Sequence, residues 1–357
     1  MKKIEIINNE STKSEIVIDY DLTKNIYDYL DENKKYFLIT NTTLAKLYPD
    51  IISKFEKEKV IVIKDGEKYK NFETYNFIMN ELLKNKIERK DAVIALGGGV
   101  VGDLAGFCAS SILRGVELIQ IPTTLLAMCD SSIGGKTGYN TKYGKNLIGS
   151  FYKAKKVLID LKFLNTLNDY ELKCGMGEVL KYAFIENSCK SEEKYDLMEF
   201  LSENSSSSIK EKMNYIVSAC ASLKVNVVKL DEKESGLRKV LNFGHTFAHP
   251  IESLTGYNLI SHGQAVAYGI KMASKLACAN NLIDNGYYER INLLIDKFHL
   301  TDEKLEFNKN QLNDFISLMT QDKKVQDGKI NLLLPVGYAQ VGLFDSIDLP
   351  SIEALLP

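Results

Sequence analysis

The sequence predicts two domains of different class. Residues 1–160 read as an α/β domain with a Rossmann-like, mostly parallel sheet, and residues 161–357 as a mainly α-helical domain. Three observations carry this. Short runs rich in Val and Ile recur through the first part, "KYFLIT", "KVIVIK", "DAVIAL", "ELIQIP" and "KVLID", each bounded by charged or turn residues. Amphipathic stretches such as "NFETYNFIMNELLKNK" lie between them, which is the alternation of βαβ units. The texture then changes. "LNDYELKCGMGEVLKYAFIEN", "SSSSIKEKMNYIVSACASLKVNVVKLDEK", "GQAVAYGIKMASKLACANNL" and "GYYERINLLIDKFHL" all repeat apolar residues at helical spacing.

The remaining elements follow in order. "KIEIIN" and "EIVID" at the start read as an antiparallel pair at the sheet edge. "SENSSSS" at 202–208 reads as a polar linker between helices, and "GKINLLLPVG" with "AQVGLFD" as a small terminal hairpin.

Composition narrows the function. A chain of 357 residues is long enough for two domains and a sizeable core. A net charge of −2 and a pI near 6.2 argue against a nucleic-acid or membrane-surface protein. "MKKIEIINNE" has no apolar run of the signal-peptide kind, and "DAVIALGGGVVGDLAGFCASSIL" is broken by Asp103 and by glycines, a poor membrane span. The six cysteines are scattered and form no C-x-x-C, so we expect reduced, partly buried thiols in a cytoplasmic protein.

Four motifs carry chemistry. "AVIALGGGVVGDLAGF" is a strand, a glycine turn and a helix, with G-x-G-x-x-G at Gly97, Gly99 and Gly102. Such a turn lets a pyrophosphate approach the main chain at a helix N-terminus. The usual acidic partner about 20 positions on is missing, since Glu117 opens its strand. Tight strand-to-helix packing explains the glycines as well. In "IPTT", Thr123 and Thr124 offer hydroxyls to a phosphate or ribose, or simply cap the next helix. "DSSIGGKTGYNTKYGKN" combines glycines with Asp130, Lys136, Lys145 and Asn146, which suits an anion but also a solvated loop. In "LNFGHTFAHPIE", His245 and His249 share a helical face, and His262 follows in "SHGQAV". Three of the four histidines thus cluster, which points toward a metal bound by imidazoles and a carboxylate with one position open.

Taken in order, "GEKYKNFET", "GGGVVGDLAGF", "RGVELIQIPTTLLAMCDSSIGGKTGYN", "GEVLKYAFI", "DEKESGLRKVLNFGHTFAH" and "SHGQAVAYG" resemble the 3-dehydroquinate synthase family. The resemblance runs from about residue 30 to the "DKK" at 322–324. It implies an active site in the cleft between the two domains. It also implies an NAD- and metal-dependent lyase that turns 3-deoxy-D-arabino-heptulosonate 7-phosphate into 3-dehydroquinate and phosphate. In that reaction a hydroxyl is transiently oxidised to acidify the neighbouring C–H, phosphate leaves, the ketone is reduced again, and the opened ring closes by an aldol step.

The resemblance also implies roles residue by residue. Glu178, His245 and His262 would bind a divalent metal, zinc or cobalt, and His249 would be an acid/base or substrate group. NAD would be held by Glu67, Lys70, Gly97, Gly98, Gly99, Asp103, Thr123, Thr124, Lys136, Lys145, Asp160 and Thr166. The phosphorylated sugar acid would meet Lys136, Asn146, Lys224, Arg238, Asn242 and one of Lys323 and Lys324, with Asp130 and Lys181 near its reacting hydroxyls. Arg114 would reach the site of a second subunit in a homodimer.

The chain departs from the family pattern at Gln264, where Glu is usual and a contact to a metal histidine is at stake. It departs also at Gly177, Ala248 and Pro250, the last beside His249. Another sugar-phosphate cyclase, or a metal-dependent alcohol dehydrogenase of glycerol-dehydrogenase type, are the alternatives. The dehydrogenase would not need Lys136, Lys224 and Arg238 as anion clamps. A nucleotide-binding sensor would not need the metal set.

Overall fold

The computed structural model describes residues 1–9, 12–206, 208–256, 259–305, 307–321, 325–326 and 329–347. Lys323 and Lys324 lie outside them. The chain divides into two compact units, Met1–Leu167 and Asn168–Pro357.

The first unit is built on a seven-stranded sheet. Its strands are β1 (Lys2–Asn9), β2 (Thr12–Asp19), β3 (Tyr36–Asn41), β4 (Val60–Ile63), β5 (Ala92–Gly97) and β6 (Glu117–Pro122), with β7 (Lys136–Thr141) and β8 (Gly144–Phe151) set apart before β9 (Lys156–Asp160). The order is β1-β2-β9-β6-β5-β3-β4. Every neighbouring pair runs parallel except the β1–β2 edge, which is antiparallel as the sequence suggests. β3 and β5 are buried along their whole length, which is why they read as unbroken apolar runs. The helices are α1 (Thr42–Leu47), α2 (Pro49–Ile52), α3 (Phe72–Lys84) and α4 (Gly99–Ser111). The chain steps outward from β3 to β4, returns to β5 and continues to β6 on the other side. The carboxyl end of β5 therefore lies where the strand order reverses, the usual ligand crevice of open α/β sheets.

One expectation is corrected. The segment 130–146 is not a solvated loop: it begins in the end of a π-helical turn, Ala127–Ser131, and runs into the antiparallel β7–β8 hairpin. The hairpin escaped notice because β8 is largely exposed and lacks the alternation that burial of one face imposes.

The second unit carries α5 (Asp169–Ile185), α6 (Leu197–Glu203), α7 (Met213–Leu230), α8 (His245–Leu254), α9 (His262–Ala279), α10 (Asn285–Lys297) and α11 (Lys309–Gln321). A small sheet of β10 (Val325–Gln326), β11 (Lys329–Gly337) and β12 (Gln340–Ile347) follows, with β11 and β12 paired as the expected hairpin. Helix starts follow the capping rules. Asn168 accepts from Glu171 N at 2.9 Å, and Ser261 and Gln264 form a capping box at the head of α9. No described helix is long and apolar enough to cross a membrane. Five of the six cysteines are buried.

Candidate functional site

In the first unit the glycine turn closes β5 onto α4, whose N-cap is Gly98. A Cβ on Gly97 would collide with Val101, and one on Gly98 would come within 3.0 Å of the Thr124 methyl. Gly102 backs onto Gln120, whose Nε2 donates to its carbonyl at 3.1 Å. Packing thus accounts for these three glycines by itself. Thr123 is buried and Thr124 Oγ1 accepts from Ala127 N at 3.2 Å, the capping role. Glu117 pairs with Lys34, so it is a structural ion pair.

More telling is what gathers beside α4. Lys70 Nζ lies 2.6 Å from Asp103 Oδ2 and 2.6 Å from Asn146 Oδ1. Asn140 then ties the cluster together. Its Nδ2 donates to Glu67 Oε1 at 2.7 Å, its Oδ1 accepts from Asn146 N at 3.0 Å, and its own N donates to Lys70 O at 2.8 Å. Glu67, Lys70, Asp103 and Asn146, from three segments, therefore form one hydrogen-bonded group with Asn140. Asn140, which sequence reasoning missed, is its centre. The hairpin that carries it was the unread element.

Other expected residues stand apart. Asp160 is fully buried, and its carboxylate accepts from Asp21 N, Thr23 N, Thr23 Oγ1 and Lys162 N at 2.6–3.0 Å. Its oxygens hold that turn. Thr166 is exposed and bonds the Tyr48 hydroxyl. Lys136 is exposed on β7, Lys145 is half-buried on β8, and Asp130 is half-buried in the π-helical turn. Arg114 is exposed and follows Leu113. Both take left-handed backbone angles, with φ 50° at Leu113 and φ 68° at Arg114, uncommon for residues other than glycine.

In the second unit Glu178, His245 and His262 converge. One ligand atom from each lies within 4.8 Å of the others. The Nε2 atoms of His245 and His262 stand 3.6 and 3.4 Å from Glu178 Oε1. Each Nδ1 is engaged elsewhere: His245 Nδ1 with the Phe243 carbonyl at 3.1 Å, His262 Nδ1 with Glu252 Oε2 at 3.4 Å. Two imidazoles turned inward by Nε2 toward a carboxylate are a fitting donor set for zinc or cobalt.

Glycines bring the three ligands together. A Cβ on Gly177 would strike the Gly263 carbonyl, one on Gly263 the Cys174 carbonyl, and one on Gly269 the Gly244 carbonyl. α5 and α9 thus meet main chain to main chain beside Glu178 and His262. The turn at Gly244, φ 81°, meets α9 beside His245.

Electrostatics follow from burial. Burial holds the His245 imidazole well below its ordinary pKa. Burial also works against His262 in its charged form, but Glu178 and Glu252 outweigh it and raise that pKa to about 10. Lys181, 2% exposed, forms an ion pair with Glu178 one turn earlier on α5. His249 is exposed, with its ring centroid 5.6 Å from that of His245. Pro250 does not interrupt α8, which runs on to Leu254. Gln264 is spent on the capping box, its Oε1 accepting from Ser261 N at 3.1 Å, so its departure from Glu leaves the helix start intact.

Two of the three expected anion clamps, Lys224 and Arg238, are buried cations. Lys224 is 5% exposed on α7, and Arg238 is 2% exposed on the turn Leu237–Asn242, which packs on α7. Asp231 anchors that turn by accepting from Gly236 N at 2.7 Å and Arg238 N at 3.0 Å, while Arg238 donates to the Glu232 carbonyl at 2.5 Å. Asn242 bonds Glu234.

Comparison with known proteins shows the family. Residues 60–174 match the family model "3-dehydroquinate synthase N-terminal" and residues 175–325 match "3-dehydroquinate synthase C-terminal". A 3-dehydroquinate synthase of Dictyoglomus turgidum is 40% identical over 354 residues, covering 98% of this chain and 96% of that protein. Among solved structures, a 2-deoxy-scyllo-inosose synthase complexed with carbaglucose-6-phosphate, NAD+ and Co2+ shares the fold at TM-score 0.86 and 22% identity, covering 99% of both chains. The 2-epi-5-epi-valiolone synthase of Streptomyces hygroscopicus, with NAD+ and Zn2+ bound, gives TM-score 0.83 at 25% identity over 97% of this chain and 96% of its own. The two matched models together cover well over half of the residues, and this chain belongs to the 3-dehydroquinate synthase family.

Proposed function

We infer that this chain catalyses the conversion of 3-deoxy-D-arabino-heptulosonate 7-phosphate to 3-dehydroquinate and phosphate, a step of the shikimate pathway toward aromatic amino acids. The observation that carries the reading is the convergence of Glu178, His245 and His262 in a chain of this family. When bound, NAD supplies a reversible hydride acceptor and the divalent metal a Lewis acid for the oxidised hydroxyl.

The residues divide the remaining work. Glu178, His245 and His262 hold the metal. Lys181 stabilises the Glu178 carboxylate and stands ready to donate to a substrate oxygen. His249, exposed on the same face as His245, moves a proton. Arg238, Lys224 and Asn242 bind the carboxylate-bearing end, and Lys136 with Asn146 binds phosphate, which orients the flexible substrate. Glu67, Lys70 and Asp103, braced by Asn140, hold the cofactor at the reversal point of the sheet. Asp130 lies near the reacting hydroxyls.

Arg114 acts in the site of a second copy. The support is its backbone: two successive residues in a costly left-handed conformation present an exposed guanidinium, and strain of this kind gathers at functional positions. The buried cysteines accord with a cytoplasmic enzyme.

The test is direct. Protein incubated with the heptulosonate phosphate, NAD and zinc or cobalt releases phosphate and forms the cyclic product, with no net NADH. Stoichiometric NADH from a simple alcohol, without phosphate release, moves the chain to the dehydrogenase class.

A further inference from the structure

We propose that Glu252 is a positioning residue of the metal site, holding the His262 ring by its Nδ1–H so that Nε2 faces the metal. The inference rests on the reading of Glu178, His245 and His262 as ligands. The sequence resemblance assigns Glu252 no role.

Glu252 lies on α8, 5% exposed. A buried carboxylate is costly unless something compensates it. Its Oε2 lies 3.4 Å from His262 Nδ1, while the opposite ring nitrogen lies 3.4 Å from Glu178 Oε1. An imidazole that gives the Nε2 lone pair to a metal carries its proton on Nδ1, and that proton needs an acceptor. His245 meets the same need with the neutral Phe243 carbonyl. His262 meets it with an anion, which fixes the tautomer and makes the ring a stronger donor. The acid expected for this duty, at position 264, is Gln264 and faces Ser261. The acid that faces the His262 Nδ1 comes from a different helix, α8. Because α8 carries both His245 and Glu252, one helix supplies a ligand and orients another.

The experiment measures zinc dissociation constants by chelator competition, and the visible spectrum of the cobalt-loaded protein, for Glu252→Ala, Glu252→Gln and His262→Ala. Glu252→Ala should bind zinc about 10- to 100-fold more weakly. Glu252→Gln, whose amide oxygen still accepts, should lose less, and the cobalt bands should shift in both while NAD affinity stays at the parent value. A zinc constant within about twofold of the parent and an unchanged cobalt spectrum for Glu252→Ala overturn the proposal. If that variant does not fold, the isosteric Glu252→Gln decides by the same two readings. Loss of zinc from Glu252→Ala as complete as from His262→Ala makes Glu252 a ligand and also overturns it. Zinc lost from His262→Ala but kept by Glu252→Ala sinks this proposal alone. Zinc kept by His262→Ala sinks the ligand assignment beneath it.

Discussion

Lys70 and Asp103 form a partly buried ion pair at 2.6 Å, with the lysine 5% exposed and also bonded to Asn146. A lysine so enclosed acts less as a mobile charge than as a brace that fixes the carboxylate on the second turn of α4. Lys70→Met and Asp103→Asn should each weaken NAD binding, and the double variant should lose less than the sum, with a coupling of about 1–2 kcal/mol. Calorimetric titration of NAD measures all three, and strict additivity would refute the brace.

Asn140 should matter without touching the reaction. Removing its side chain costs the bonds to Glu67 and Asn146, and at about 1 kcal/mol the NAD dissociation constant of Asn140→Ala rises about fivefold. Zinc affinity, set in the other unit, should not move. A parallel loss of zinc would mean general damage.

Arg238 should discriminate between ligands. Arg238→Ala deletes a buried cation and should raise the KM for the heptulosonate phosphate by two orders of magnitude, about 3 kcal/mol, while the NAD constant changes little. Equal losses for both would place Arg238 outside the substrate site.

The turn that carries Arg238 should be acid-sensitive. Partial burial pushes the Asp231 carboxyl upward, but the N–H donors of Arg238, Gly236 and Ser235 outweigh it and hold its pKa at about 2, below the ordinary 3.8. A group depressed on folding stabilises the native state above its unfolded pKa and loses that contribution as pH falls through the folded one. The stability difference between the parent and Asp231→Asn should be constant above pH about 4 and close as pH falls through about 2. Denaturant melts across that range test it, and a difference that persists at the acid end counts against the assignment.

Arg114 can be tested by mixing. If Arg114 acts in the site of a second copy, Arg114→Ala spoils the partner's site and His245→Ala its own. In random dimers of the two dead variants about a quarter of all sites should work. Mixed dimers confirmed by mass and devoid of activity would end the shared-site reading.

Legibility in the sequence tracked the physical signal. β3, β5 and β6 announce themselves because burial on both faces leaves mostly apolar residues. The metal histidines show because imidazoles are scarce in this chain. β7 and β8 did not show, and Asn140 went with them. Glu252 was hidden in "HPIE", where a lone acid beside apolar residues reads as surface until the tertiary fold buries it. Asp160 gains a part that the sequence did not suggest: its oxygens accept from the main chain of Asp21, Thr23 and Lys162 and hold a turn.

The glycines of the second unit set a limit on redesign. Where α5, the Gly244 turn and α9 touch through bare main chain, no side chain acts as an adjustable spacer between the ligand-bearing elements. Elsewhere in a core, neighbouring side chains relax in part around a lost or added methyl. Here it is passed undiminished to the separation of Glu178, His245 and His262. Retuning this centre for a larger ion must therefore act at the tips of the ligands, by exchanging one donor group for a shorter or longer one. Widening the scaffold from beneath would move all three side chains apart at once.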